Sequence, residues 1–316
     1  MGMKAGLRFG IHTAEQYARA AGKRRLSGAS VSYGLLQIGD NPTEQEISRF
    51  EDISLIFCTS NGTRRTTFRK RMQDVDATTL ELLERWHQHH KDLLIEDRGA
   101  SSCLTSSELA HHLFRAFPHA SLEASDRLLW VFRISLAKGR GYIIEPDGEP
   151  LQFICPPFVV SLNAYKPERS PLRRLIAAQG KKLFRQLGFP KIGQAHKIDR
   201  ISCIHPEAEC LCKKDSRFQI RVRSVFEHSS GLDVLRTMNV LNKDYFPIQQ
   251  LVEGVRAAFQ SLNPRGLWIV GRTLDDHTNH VTFFRRAEKQ FEVAARIGKG
   301  SEIEELALGA SAQVRA

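Results

Sequence analysis

No apolar run in these 316 residues approaches the roughly 20 needed to cross a bilayer. The opening segment, residues 1–10, has no apolar core of the signal-peptide kind, so the expected location is the cytoplasm, with no membrane partner. Cysteine is sparse: six residues, irregularly spaced in a chain this long, make no disulfide framework, and reduced thiols are expected. Internal repeats, low-complexity stretches and recognisable nucleic-acid-binding motifs are all missing. What remains is ordinary globular composition, 41% hydrophobic and 26% charged, long enough for one large domain or one domain with an appendage.

One excess stands out. The formal net charge is +11, scattered rather than gathered in a tail, with denser groups at Lys23-Arg24-Arg25, Arg64 to Arg71 and Lys181-Lys182. Such a surface attracts nucleic acid, an anionic cofactor or an acidic protein, or is simply solvated.

The most informative stretch runs from Lys91 to Arg127. An apolar run (Leu93, Leu94, Ile95) ends in Asp97, followed by a loop of small residues, Gly99-Ala100-Ser101-Ser102-Cys103. An amphipathic segment then carries Leu109, Leu113, Phe114 and Phe117 on one face, and a second short strand, Leu122 to Ser125, ends in Asp126. Strand, small-residue loop, helix, strand, acid is the layout of a nucleotide-type pocket. The loop admits a ligand to the backbone, and the second acid can accept hydrogen bonds from ribose hydroxyls. The loop is poor in glycine, so the rest of the chain must decide which ligand.

Before this stretch, Thr13 to Ala21 reads as a short helix, Ser30 to Ile38 and Ile53 to Phe57 as strands, and Asp76 to His90 as a helix capped by Asp74 or Asp76. Residues 1–90 are expected to form an N-terminal extension, a lid or substrate-binding region. From Lys91 onward strands and helices alternate, which favours a largely parallel sheet covered on both faces. Leu128 to Leu136 is read as a short helix. Pro146-Asp147-Gly148 marks a turn between two strand-like runs, giving an inserted β-hairpin at about 138–160. Helices are expected at Pro171–Leu187, Pro206–Lys213 and Pro247–Leu262. Strands are expected at Arg200–Ile204, Phe218–Phe226, Leu232–Leu235, Gly266–Gly271, His280–Phe284 and Phe291–Ala295. Residues 301–316 are read as a strand end or frayed tail.

Laid end to end from about Lys91 to about Gly300, these elements resemble the class I S-adenosylmethionine-dependent methyltransferases. The resemblance implies an α/β, Rossmann-like sheet of seven strands, mostly parallel with the last strand antiparallel. Asp97 through Cys103 resembles that family's first-strand acid and loop, and Asp126 its ribose acid. Leu232 to Phe246, with the triplet Asn239-Val240-Leu241, looks like the fourth strand and turn of the methyltransferases that modify chemotaxis receptors. Two positions depart: Cys103 stands where the family has its second loop glycine, and Ser224 where it has an adenine-side acid.

The resemblance implies S-adenosyl-L-methionine as cofactor and an unidentified methyl acceptor. Asp97 would hold the methionine amino group indirectly or position the loop; its alternative is a turn or capping acid. Gly99 would let the backbone meet the carboxypropyl end, or is a plain turn glycine, and Ser101 is a weaker case of the same. Asp126 would take the ribose, or cap a following helix. Ser224 would stand on the adenine side. Asn239 would orient acceptor or cofactor, or cap a turn. His228 is the nearest candidate base, or a surface histidine. Glu96 and Arg98 can pair with each other at the surface. Cys203, His205, Cys210 and Cys212 lack a familiar zinc spacing, and the histidines at 87, 89, 90, 111 and 112 read as polar helix surface, so no metal is expected. The alternatives to an active methyltransferase are a cofactor-binding protein without catalysis, suggested by Cys103 and Ser224, and a nucleic-acid-binding protein, suggested by the charge.

Overall fold

A computed structural model describes residues 9–21, 30–87, 92–165, 167–188 and 197–311. The chain divides into two compact units, each built from two separate segments. Unit 1 comprises Met1–Thr66 and Trp130–Cys203, and unit 2 comprises Thr67–Leu129 and Ile204–Ala316.

Unit 2 holds the expected seven-stranded sheet. In chain order its strands are β1 (Leu94–Arg98), β2 (Ser121–Asp126), β8 (Phe218–Val222), β9 (Leu232–Met238), β10 (Leu262–Thr273), β11 (Asn279–Arg286) and β12 (Phe291–Ile297). They lie in the order β12-β11-β10-β9-β1-β2-β8. The five strands from β8 to β10 are mutually parallel, while β11 is antiparallel to both its neighbours. The chain builds outward from β1 through β2 to β8, then crosses back to place β9 on the other side of β1. That reversal makes β1 and β9 a topological switch point, and the carboxyl ends of the strands at such a point are where open α/β sheets bind ligands. Every residue of β9 is buried, as in a strand covered on both faces. Helices α3 (Gln73–Trp86), α4 (Leu104–Ala116), α6 (Pro206–Lys214), α7 (Ile248–Ser261) and α8 (Glu304–Ser311) complete the unit. Trp268 is fully buried, with its indole N–H donating to Thr237 at 2.9 Å.

Unit 1 is a five-stranded antiparallel sheet, ordered β6-β5-β4-β3-β7. Its strands are β3 (Trp130–Ser135), β4 (Gly141–Ile144), β5 (Pro150–Cys155), β6 (Phe158–Ser161) and β7 (Lys197–Ser202). Helix α5 (Pro171–Leu187) lays Ala177 and Phe184 on a cluster that includes Tyr142 and Phe153. The N-terminal segment, with α1 (Ala14–Ala21) and α2 (Glu44–Ile56), is stitched to this sheet. Gln152 accepts from the Tyr33 N–H and donates to the Val31 carbonyl, and Glu145 accepts from the Ser60 N–H and hydroxyl, each at 2.7 Å.

Several expectations change. Leu128–Leu136 is not helical: Trp130, Phe132 and Ile134 alternate along β3, with Phe132 and Ile134 packed in a cluster on one face of a sheet. The stretch Ile53–Phe57 falls mostly in α2, whose start is a capping box in which Thr43 and Glu46 satisfy each other's backbone N–H groups. Ser30–Ile38 contains a single helical turn, Tyr33–Leu36, capped by Ser32. The tail carries α8. The hairpin exists as β4 and β5, yet it belongs to a sheet running from residue 130 to 202. The region 1–90 is likewise divided, with α3 in unit 2. Residues 1–8, 88–91 and 312–316, on which parts of the sequence reading fall, lie outside the described residues.

Candidate functional site

Successive residues of a strand point to opposite faces, so β1 sends Asp97 one way and Glu96 and Arg98 the other. Glu96 and Arg98 do pair, at 2.8 Å, but in the interior rather than at the surface. Arg223 reaches the same carboxylate at 2.7 Å, and Ser229 and Ser261 complete the network. A charge pair this deep needs such partners, because desolvation alone would make either ion costly.

On the opposite face Asp97 is 3% exposed and accepts from the Ser106 hydroxyl and from Arg236. Arg236, buried within β9, also reaches Asp76 on α3 at 2.7 Å. Burial, partly offset by Arg236 and reinforced by Asp97 and Glu108, pushes the Asp76 carboxyl up to about 7. Asp97 therefore ties β1 to α4 and β9. The methionine amino group of a cofactor would meet an acid already paired with a guanidinium, so this end of the site does not fit direct contact.

The loop after β1 is held by β2. Gly99 and Ala100 donate to the Ser125 carbonyl at 2.8 and 3.0 Å. The Asp126 carboxylate accepts from the Ser101 N–H at 2.8 Å and the Leu128 N–H at 2.9 Å. Gly99, Ser101 and Cys103 all have positive φ, a conformation that is strained for the latter two. A Cβ on Gly99 would sit 2.1 Å from Val240 Cγ2. The absence of a side chain at Gly99 makes room for Val240. Cys103 is fully buried at the start of α4, so its thiol does not intrude on an open site.

Asn239 has φ of 62°, donates its N–H to the Gly271 carbonyl, and accepts from the Thr273 N–H at 2.7 Å. It ties the end of β9 to the end of β10. The triplet then packs: Val240 against Gly99, and Leu241 where a Cβ on Gly254 of α7 would lie 2.7 Å away. Ser224 sits in a turn beyond β8, its N–H bound to Glu227 at 2.9 Å and its hydroxyl accepting from Phe226. His228, further along, is exposed. The structure thus joins Ser101 to Asp126 directly and Gly99 to the neighbouring Ser125, with Asn239 followed by Val240 at Gly99, while Ser224 and His228 lie beyond the end of β8.

Arg236 and Ser106 carried no expectation, and Asp76, expected as a helix cap, lies inside α3 instead. The signal was an arginine directly after the apolar pair Val234-Leu235, where a charge drawn into the interior demands buried counter-charges. His205, a metal candidate by type, caps α6 by accepting from the Glu207 N–H. Among the described residues no three His, Cys, Asp or Glu side chains converge as metal ligands, and no helix is long and apolar enough to cross a membrane.

No family profile and no curated protein matches this sequence. Solved structures resemble it only distantly. They include a putative sarcosine dimethylglycine methyltransferase from Galdieria sulphuraria, at 9% identity over 64% of this chain and 46% of that one, TM-score 0.29. A putative S-adenosyl-L-methionine-dependent methyltransferase from Methanococcus maripaludis matches at 10% identity over 75% and 68%, TM-score 0.30. A probable spermidine synthase from Corynebacterium glutamicum matches at 12% identity over 65% and 48%, TM-score 0.29. The chain spans 37–48% of the length of the first four such structures.

Proposed function

We propose that unit 2 binds S-adenosyl-L-methionine at the carboxyl ends of β1 and β9 and that the protein transfers its methyl group to an acceptor. The observation that carries this reading is the position of Asp126. It ends the strand next to β1, on the carboxyl side of a sheet that reverses its order at β1, and its carboxylate holds the small-residue loop. When bound, the cofactor supplies an electrophilic methyl on a sulfonium. Asp126 would receive the ribose, and Ser101 would present loop backbone to the ligand. Asp97 and Asn239 would position the two strand ends, and Ser224 would lie toward the adenine side. Residues 1–90 would serve as a lid or substrate-binding region.

A second reading, cofactor binding without catalysis, is favoured by one specific arrangement. The Asn239 side-chain oxygen is engaged by β10 rather than offered to an acceptor, and His228, the candidate base, is exposed. Calorimetry with S-adenosylhomocysteine, followed by methyl transfer from labelled cofactor, separates the readings. Heat without transfer to any lysate fraction supports the second. No heat at millimolar ligand removes both. Asp126→Ala is expected to weaken S-adenosylhomocysteine about tenfold or more, the scale of hydrogen bonds to a charged group. Because β3 rather than a helix follows Asp126, the competing outcome is lost loop order with unchanged affinity, and that would sink the ribose assignment.

A further inference from the structure

The two units divide the charge unequally. The 46 basic and 35 acidic residues fall as 22 and 11 in unit 1, and as 24 and 24 in unit 2. The whole excess of +11 therefore belongs to unit 1.

Within unit 1 part of that excess is arranged. On α5, Arg174, Lys182 and Arg185 are all exposed. At 100° per residue they fall within about 80° of one another, forming a stripe about 16 Å long. None has a carboxylate partner among the described residues, although Arg174 donates to the Glu168 carbonyl at 2.8 Å. The opposite side of α5 packs on the β5 and β6 end of the sheet. On that same sheet face the alternation of β3 places Trp130, Phe132 and Ile134, with Arg200 of β7 paired across from Phe132. Arg200 is exposed, and its guanidinium lies over the partly exposed Trp130 ring at 3.9 Å. A cationic stripe and a planar aromatic–guanidinium pair thus share one face of one unit.

We propose that this face of unit 1 binds single-stranded nucleic acid, the α5 stripe following phosphates and the Trp130–Arg200 pair stacking on unpaired bases. Phosphates account for a row of unpaired cations. Stacked planar groups suit bases, which all present a π-face, and the stacking requires that they be out of a duplex. An anionic bilayer would use the stripe and the exposed Leu172 and Leu175 but would leave the stacked pair without a role. RNA and DNA share the phosphate and base chemistry invoked. Only the further step, that nucleic acid is the methyl acceptor, rests on the function proposed above.

Fluorescence anisotropy of the full chain with labelled 20-nucleotide single-stranded RNA and DNA, without cofactor, tests the surface. Binding of either or both strands is expected, and which binds names the source. Affinity should fall steeply between 50 and 200 mM salt. The triple variant Arg174→Glu, Lys182→Glu, Arg185→Glu should bind at least tenfold more weakly and flatten the slope of log affinity against log salt by about 2. Trp130→Ala should cost about tenfold. Should Trp130→Ala lose its circular-dichroism signature, Arg200→Ala tests the pair instead. Absence of binding at 50 mM salt overturns the proposal. So do a triple variant that binds like the original, an equal affinity for blunt duplex, and capture by phosphatidylserine vesicles without oligonucleotide binding. Because no cofactor is present, each failure leaves the methyl-transfer reading standing.

Discussion

Both units contain many charged residues, but they use them in opposite ways. Unit 2 is electrically neutral and takes several charges inside: Glu96, Arg98, Asp97, Arg236 and Asp76 are all buried and paired. Unit 1 buries the Arg173–Glu168 pair and, on α5 and β7, exposes Arg174, Lys182, Arg185 and Arg200. Charges placed inside fix geometry because a partner lost in low dielectric is expensive. Charges left outside fix little and instead act at a distance on whatever approaches.

The largest expected effect would break this contrast at Arg236. Arg236→Met removes the shared partner of Asp76 and Asp97 and is expected to destabilise the chain by about 3–5 kcal/mol in denaturant unfolding. A loss under 1 kcal/mol would mean that the buried network does not hold unit 2 together.

A somewhat smaller effect concerns pH. The Asp76 carboxyl titrates near 7 in the fold, chiefly through burial, and in the ordinary carboxylate range when unfolded. Between those values the folded state holds a proton that the unfolded state lacks, so stability falls as pH rises and levels off above 7. From pH 5 to 7 the loss should approach at most about 3 kcal/mol, since one pKa unit corresponds to about 1.36 kcal/mol. It should disappear in Asp76→Asn, as followed by urea unfolding at each pH. An Asp76→Asn profile parallel to that of the original protein would refute the assignment.

Much of unit 2 was legible in the sequence. Its central strands are covered on both faces and show as apolar runs, and the glycine loop and the acid ending β2 fell where the layout put them. Unit 1 was not, for a physical reason. The run Ile53–Phe57 is as compatible with a buried helix as with a strand, and only the Thr43–Glu46 capping box decided for α2. The alternation of Trp130, Phe132 and Ile134 was visible, but its meaning depended on β7, far along the chain. The buried network was illegible for the same reason, because Arg236 lies 139 residues from Asp97 and 160 from Asp76.

The smallest predicted effect sharpens the account of the loop. Gly99→Ala adds a Cβ against Val240 at a φ of +74° and is expected to cost about 2 kcal/mol, partly from overpacking and partly from backbone strain. Adding Val240→Ala should return the packing share and not the strain, a positive coupling measurable in a double-mutant cycle. No coupling would mean that Val240 yields readily and that the glycine answers to the ligand instead.

The path of the chain has a consequence for how the protein is made. The polypeptide passes from one unit to the other at residues 66–67, 129–130 and 203–204. On the ribosome, β1, α4 and β2 emerge before the strands that flank them, since β8 begins at Phe218 and β9 at Leu232. Unit 1 has all its parts once Cys203 is synthesised, while the larger segment of unit 2, Ile204–Ala316, still waits and leaves the outer edges of β1 and β2 unpaired. Nascent chains stalled at that length should therefore expose strand edges and attract chaperones more than longer ones. No single cut in the gene releases both units whole, so their separate study calls for joining two segments across the excised one.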